Sequence, residues 1–219
     1  MTRLDQGPAP ASTGADATRS GAAAPGVLAP EIAQCLASGR DLWIFGYGSL
    51  MWNPGFPHVE AQPALLHGFH RAFCVYSSRY RGTPERPGLV LGLDRGGACK
   101  GVAFRVPSAE LATALHYLWE REMTNRTYHL QALSVRIPAG VVAARAFVVD
   151  RRHKNYTGRL SLDETARLII QGIGARGPCR QYLENTVAEL CRLGQLDGPI
   201  HRLEMKVREL AAKELPCAM

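Results

Sequence analysis

The sequence predicts an α+β fold, with a mostly antiparallel sheet or small β-barrel flanked by helices. From residue 41 to residue 150, short apolar runs alternate with glycine, proline and charged turns, and one helical pattern at about 109–122 interrupts them. After residue 150 the pattern becomes helical. A doubly wound α/β sheet needs a helix after almost every strand, so the sparse helices of the first part argue against that class. With 46% hydrophobic residues, the 219-residue chain can bury a sizeable core.

The first part of the chain is predicted to be a disordered tail over residues 1–40. Of the first 25 residues, 18 are Ala, Gly, Pro, Ser or Thr, and such a segment buries too little apolar surface to offset the entropy cost of ordering it. Its charges cancel, so the whole formal net charge of +7 lies in residues 41–219. We expect those residues to form a single domain.

The domain is expected to begin with a buried strand. Residues 42–45 form the apolar run L-W-I-F, which stops at Gly46 and is typical of a strand that enters a turn. Five further runs of strand character follow, at 65–76, 89–93, 101–106, 130–137 and 143–149. Residues 82–84 (G-T-P) and 94–97 (D-R-G-G) are predicted to form turns between strands.

Three helices are expected beyond the strands. Residues 161–164 form the capping box S-L-D-E, which predicts a helix that continues to about residue 171. Pro178 suits the first position of a second helix, and Gly194 suits its C-terminal cap. The third helix is expected over 201–213.

Composition limits the classes of partner and the compartment. No apolar run approaches the roughly 18–20 residues of a membrane span, and the N-terminus lacks the basic-then-apolar order of a secretory signal. The six cysteines are scattered, with no C-x-x-C pair, which predicts reduced thiols in a cytoplasmic protein. The net charge of +7 favours an anionic partner, either a nucleic acid or a small acidic substrate.

A glycine-rich turn after the first strand is the first candidate site. Residues 45–50 read F-G-Y-G-S-L, and two glycines permit positive φ angles and let backbone N–H groups converge on an anion or a carbonyl oxygen. The spacing matches neither a phosphate-binding loop, nor a dinucleotide-binding fingerprint, nor a nucleophile elbow. An ordinary tight turn explains the same spacing.

A carboxylate on an apolar helix face is the second candidate. At about 100° per residue, Glu122 falls on the apolar face of the predicted helix. That face carries Leu111, Leu115 and Leu118, and Glu120 lies on the opposite, solvent-facing side. Burial would raise the pKa of the Glu122 carboxyl and suit it to act as a general base near neutral pH. The alternative is a carboxylate at the end of the helix that is solvated or paired with an arginine.

Two weaker patterns do not point to a site. His58, His67 and His70 lack a carboxylate or cysteine at a metal-ligand spacing, so no metal is predicted. Residues 151–180 carry seven basic and two acidic residues, which predicts a solvated basic face or, as the second interpretation, steering of an anion. Their few aromatic residues argue against base stacking with a nucleic acid.

Several segments together carry a resemblance to a known family. They are W-I-F-G-Y-G-S-L-M-W-N-P at 43–54, the Arg-Glu pair at 121–122 and N-Y-T-G at 155–158. Further matching segments extend the similarity over roughly residues 41–212. These segments resemble the ChaC family, whose members are glutathione-specific γ-glutamylcyclotransferases.

The resemblance implies a small β-barrel, a site without cofactor or metal, and a set of site residues. Glu122 would be the catalytic glutamate, and glutathione, a small anionic peptide, would be the substrate, cleaved to 5-oxoproline and Cys-Gly. The substrate-binding residues would be those of the strand-end turn and a later tyrosine, namely Phe45, Gly46, Tyr47, Gly48, Ser49, Leu50 and Tyr156.

These residues support a mechanistic hypothesis in which Glu122 acts first as a general base and then as a general acid. It would take a proton from the α-ammonium of the γ-glutamyl group, whose amine then attacks its own γ-carbonyl. Two alternatives stay open: a cyclotransferase for other γ-glutamyl amines or amino acids, and a non-catalytic binding or regulatory module on the same fold. Nucleic-acid binding rests on charge alone and ranks last.

Overall fold

The computed structural model describes residues 30–123 and 126–214. Its first element is a short helix, α1 (Pro30–Ala37), in which Ile32 and Cys35 are buried. The prediction of a disordered tail over 1–40 is therefore wrong for this helix, because tertiary packing orders a segment that is too short to be a stable helix alone. Residues 1–29 of the predicted tail lie outside the described residues.

Five strands form a closed barrel, which confirms the predicted fold class. They are β1 (Leu42–Gly46), β2 (Glu60–Ser77), β3 (Gly88–Val106), β4 (Tyr128–Ile137) and β5 (Gly140–Val149). The order around the barrel is β1-β3-β2-β4-β5. Neighbouring strands are antiparallel, except that β5 meets β1, and briefly β3, in parallel.

Strands β2 and β3 pair along almost their whole length as one long, bent hairpin. The predicted turn at 94–97, which would divide β3 into two strands, is wrong. Gly96 and Gly97 do adopt positive φ angles of 103° and 69°, but they lie opposite Gly68, with φ 82°, at a shift in the pairing register. Glycines in both strands therefore absorb an irregularity while the pairing continues on either side of it.

Four more helices follow along the chain, namely α2 (Leu111–Glu122), α3 (Leu162–Gln171), α4 (Cys179–Arg192) and α5 (Gly198–Glu214). The predicted capping box is formed: the Ser161 hydroxyl accepts from the Glu164 backbone N–H, and the Glu164 carboxylate accepts from that of Ser161. Pro178 is the N-cap of α4 rather than its first helical residue. Gly194, with φ 62°, follows the end of α4. A two-stranded ribbon of β6 (Ile173–Gly174) and β7 (Gly177–Pro178) joins α3 to α4.

The buried face of α2 is the one that the sequence pattern predicts. Leu111, Leu115 and Leu118 are all buried, together with Ala114, whereas the Glu120 side chain is 70% exposed. Glu122 lies on the same face, as the last residue of the helix, and is partly buried. The helix therefore directs this carboxylate toward the interior.

Two features bear on the environment of the protein. No helix in the described part of the chain is long and apolar enough to cross a membrane. The five cysteines that lie within the described residues are free thiols, and four of them are buried.

Candidate active site

The glycine turn links β1 to a single 3-10 turn at Ser49–Met51. The expected positive φ is absent from Gly46 and from Gly48, which has φ −131° and ψ −132°. Both glycines instead let neighbouring side chains approach the backbone closely. A Cβ on Gly46 would lie 3.1 Å from the Leu50 Cβ, and one on Gly48 would lie 3.0 Å from the Tyr182 hydroxyl.

A cavity of about 250 Å³ opens beside this turn. We call it the first cavity. Its walls come from the turn, the end of β2 with the loop after it, β3, the last turn of α2, the starts of β4 and α4, and β5. The predicted site residues that line it are Tyr47, Gly48, Ser49, Leu50 and Glu122. The barrel thus brings together the two candidate features, which are far apart in the sequence.

Glu122 is the last residue of α2 and lines the first cavity. Its side chain is 21% exposed. Burial raises the pKa of its carboxyl above the ordinary value, and the positive charges of Arg121 and Arg176 oppose that rise. A carboxyl with a raised pKa in a cavity fits the requirement for a general base or acid near neutral pH.

Arg121 connects Glu122 to the glycine turn. Its Nε lies 3.1 Å from Glu122 Oε1, and its Nη2 donates to Ser49 Oγ at 2.7 Å. Its Nη1 donates to the backbone oxygen of Asn53 at 2.7 Å and to the Tyr117 hydroxyl at 2.8 Å. With the side chain 9% exposed, these charge-assisted bonds are largely shielded from water. Sequence reasoning gave this arginine no role beyond the family motif, because Ser49 lies 72 residues away along the chain.

Three tyrosines shape the walls of the first cavity. The Tyr47 hydroxyl donates to the backbone oxygen of Phe147 at 2.8 Å, and the Tyr128 hydroxyl donates to that of Leu91 at 2.9 Å. Tyr182 comes from the start of α4 and meets the turn at Gly48. Burial raises the pKa of all three phenols, so they stay neutral and hold the walls as hydrogen-bonding, uncharged groups.

Arginines give the first cavity a positive rim. Arg79, Arg81 and Arg176 line it, and the Arg81 guanidinium lies 5.3 Å from the centre of the Tyr182 ring. Arg176 belongs to the basic stretch 151–180, which the sequence predicts to be a solvated face or an anion-steering one. Sequence reasoning missed the other two, although the R-Y-R triplet at 79–81, just before a predicted turn, was a visible signal.

The remaining predicted site residues do not line the first cavity. Phe45 is fully buried, and Gly46 packs against Leu50. The Tyr156 hydroxyl donates to Asp94 Oδ2 at 2.8 Å, and the residue lines a different cavity. Its neighbour Asn155 lines the first cavity instead. Tyr156 forms an isolated antiparallel bridge with Val75 of β2, and the two neighbours line different cavities.

The histidines do not form a metal centre. Within residues 30–123 and 126–214, no group of three or more His, Cys, Asp or Glu side chains is arranged to hold a metal ion. His58 and His70 each place Nδ1 at 3.0 Å from a backbone oxygen, of Phe56 and of Gly96 respectively.

The chain is similar in sequence to known proteins over most of its length. The family model described as ChaC-like protein matches residues 42–210. A glutathione-specific γ-glutamylcyclotransferase from Escherichia coli K12 is 38% identical over 183 residues, which cover 83% of this chain and 79% of the relative. One from Schizosaccharomyces pombe is 38% identical over 196 residues, which cover 79% of this chain and 95% of the relative.

A solved structure supports the same fold. The crystal structure of a glutathione-specific γ-glutamyl cyclotransferase from yeast superposes with a TM-score of 0.71 at 22% identity, and covers 78% of this chain and 96% of that one. The matched segment from 42 to 210 includes the whole barrel, the glycine turn and Glu122. The chain therefore belongs to the family of ChaC-like proteins.

Proposed function

We propose that this protein is a γ-glutamylcyclotransferase that cleaves glutathione to 5-oxoproline and Cys-Gly. The relatives that match most of the chain carry that activity in their names. The observation that carries the proposal is the Glu122 carboxyl: it lines the first cavity with a raised pKa, together with the glycine turn and a rim of arginines. A general base and an anion-binding wall are what an intramolecular attack on a γ-glutamyl carbonyl requires.

The charge of the first cavity suits glutathione. This tripeptide carries two carboxylates and one ammonium group at neutral pH, so it is a net anion. Arg79, Arg81 and Arg176 attract its carboxylates at the rim, while the Glu122 carboxylate attracts the α-ammonium of the γ-glutamyl group. The cavity volume is about 250 Å³, and in our proposal it holds the γ-glutamyl end of glutathione, with the Cys-Gly end toward the opening.

The chemistry needs one proton acceptor and one means of holding the chain bent. Glu122 takes a proton from the α-ammonium, and the freed amine attacks the γ-carbonyl carbon to form a five-membered ring. The attack is intramolecular, so holding the γ-glutamyl chain in a curled conformation lowers the barrier. Backbone N–H groups around Tyr47 to Leu50 stabilise the oxyanion that develops on the carbonyl oxygen.

The second half of the reaction releases the products. The tetrahedral intermediate collapses, the bond from the carbonyl carbon to the cysteine nitrogen breaks, and the protonated Glu122 returns its proton to that nitrogen. The attacking nitrogen still carries two protons after the ring closes, and it passes one of them through the Glu122 carboxylate to the amine of Cys-Gly. The ring therefore leaves as the neutral lactam of 5-oxoproline and Cys-Gly leaves as an ammonium ion, so protons and charges balance. Arg121 acts as a positioning residue, because it holds both the Glu122 carboxylate and Ser49 of the turn.

We also propose that the protein acts in the cytoplasm, where thiols stay reduced. The free cysteines among the described residues agree with such a compartment. A non-catalytic binding module on this fold is the competing proposal, but such a module has no use for a buried carboxyl with a raised pKa. Nucleic-acid binding has less support, because the arginine rim encloses a small cavity rather than an extended groove.

Incubation of the purified protein with reduced glutathione tests the proposal. We expect equimolar 5-oxoproline and Cys-Gly, measured by mass spectrometry. A parallel incubation with γ-glutamyl-alanine tests selectivity, and we expect little 5-oxoproline from it. Equal rates on the two substrates would indicate a broader γ-glutamyl cyclotransferase. No 5-oxoproline from either substrate would favour the non-catalytic module.

A further inference from the structure

A second cavity of about 860 Å³ lies between the barrel and the N-terminal turns of α3 and α5. Strand β2 separates it from the first cavity: residues 70–74 line the second cavity, and residues 75–77 line the first. The segment after β5 also contributes to both cavities: Asn155 lines the first cavity and Tyr156 lines the second. The second cavity is therefore a distinct site that shares a wall with the first.

Arginines are in excess at the second cavity. Four exposed ones line its rim, namely Arg95, Arg151, Arg159 and Arg202. Arg151 pairs with Asp94, with Nε at 2.6 Å from Oδ1. The side chains of the other three have no carboxylate partner within the described ranges 30–123 and 126–214. Asp94 already accepts hydrogen bonds from Arg151 and Tyr156, so its charge does not neutralise the remaining rim.

A fifth arginine lies in the wall of the second cavity, but it is buried and paired. Arg71 lines the second cavity, and its side chain is fully buried. Its Nη1 lies 3.4 Å from Asp197 Oδ2, and its Nη2 donates to the backbone oxygen of Lys100. Nε and Nη1 make no hydrogen bond to any of the described residues. The charge of Arg71 is offset by Asp197, so the excess positive charge of the second cavity comes from the exposed arginines of the rim.

The rest of the second cavity is apolar. Leu162 at the start of α3 lines this cavity and is 43% exposed. The other apolar lining residues are Ala72, Phe73, Leu160, Pro199, Ile200 and Leu203. An apolar floor below a few convergent charged groups is the usual composition of a small-molecule site, and the volume is within the range of about 300–1,000 Å³ that such sites have.

We propose that the second cavity binds a small organic anion with an apolar body, namely an aryl or alkyl sulfonate, carboxylate or phosphate. The unpaired guanidinium groups of Arg159 and Arg202 receive the anionic group, and Leu162 with its apolar neighbours covers the body of the ligand. Glutathione is too polar for this floor, so the ligand is chemically different from the proposed substrate. The use of glutathione in the test below rests on the proposed function, whereas the comparison of charge-reversal variants does not, because none of the substituted arginines lines the first cavity.

Titration with 8-anilinonaphthalene-1-sulfonate tests the proposal, because this probe combines a sulfonate with an aromatic body and fluoresces when it is bound. Excess reduced glutathione is added immediately before each reading, at a concentration that the protein does not exhaust during the reading, to occupy the first cavity. The informative variant is the double charge reversal Arg159→Glu with Arg202→Glu. The matched control is Arg136→Glu with Arg167→Glu, two exposed arginines outside the second cavity, so both variants change the net charge equally.

We expect the native protein to bind the probe in the presence of glutathione, and the Arg159→Glu and Arg202→Glu variant to bind it about tenfold more weakly or worse. The control variant should bind within about twofold of the native protein. Leu162→Ser should also weaken binding. Loss of all probe binding in excess glutathione, or equal weakening by the two charge-reversal variants, would overturn the proposal. Both sets of substitutions lie on the surface, and circular dichroism shows whether the fold is retained.

Discussion

The role of Arg121 can be tested by a substitution that keeps its charge. Arg121→Lys retains a cation beside Glu122 but loses the planar guanidinium group, whose N–H donors reach several oxygens at once. In the native chain the guanidinium group donates to Ser49 Oγ, to the backbone oxygen of Asn53 and to the Tyr117 hydroxyl, all within 2.8 Å. A hydrogen bond to a charged group contributes about 1.5–3 kcal/mol. If lysine loses the bond to Ser49, the turn loses that restraint, and kcat/KM should fall roughly 10- to 100-fold.

The assay is the rate of 5-oxoproline release from reduced glutathione over a range of substrate concentrations. The matched control is Arg180→Lys, because Arg180 forms an exposed pair with Glu184, with side chains 45% and 42% exposed, and should change kcat/KM by less than about twofold. An Arg121→Lys protein with a native circular dichroism spectrum and native kcat/KM would refute the positioning role.

Three further outcomes follow from the first cavity. Folding raises the pKa of the Glu122 carboxyl, so the stabilising contribution of this group is complete below the ordinary pKa and is lost as the pH rises through the raised pKa. Glu122→Gln should therefore have a higher melting temperature than the native protein at neutral pH. The difference in melting temperature should vanish in acid. The acid limb of the kcat/KM profile should lie above the ordinary carboxyl range, and a limb at or below that range would argue against Glu122 as the base. Gly48→Ala places a Cβ 3.0 Å from the Tyr182 hydroxyl and should lower the free energy of unfolding, measured in urea, by roughly 1–3 kcal/mol. An unchanged urea midpoint would mean that the turn accommodates a Cβ at this position without strain.

Much of the fold follows from local sequence patterns. The capping box at Ser161, the buried face of α2 and the barrel class are all predicted by spacing that depends on near neighbours. The failures concern tertiary packing. Residues 94–97 have the composition of a turn but form part of β3, because Gly68 on the partner strand matches them with a positive φ of its own. Helix α1 is ordered by burial of Ile32 and Cys35, which its flanking sequence does not indicate.

The same distinction between local sequence patterns and tertiary packing applies to the candidate site. Glu122 and the glycine turn could be proposed from helical periodicity and from glycine spacing, respectively, and both line the first cavity. The contacts of Arg121 and Arg81 could not be predicted, because they join segments that are distant in the sequence. The expectation for Tyr156 depended on the family resemblance, and Tyr156 lines the second cavity while its neighbour Asn155 lines the first.

The central claim, that Glu122 carries the proton, is tested most directly by the rate of 5-oxoproline release from reduced glutathione by Glu122→Gln. Glu120→Gln is the matched control on the opposite, exposed face of α2. We predict that Glu122→Gln loses about 100- to 10,000-fold in rate, the usual contribution of a general acid–base group, while Glu120→Gln keeps the native rate. A folded Glu122→Gln protein that releases 5-oxoproline at the native rate would contradict the assignment.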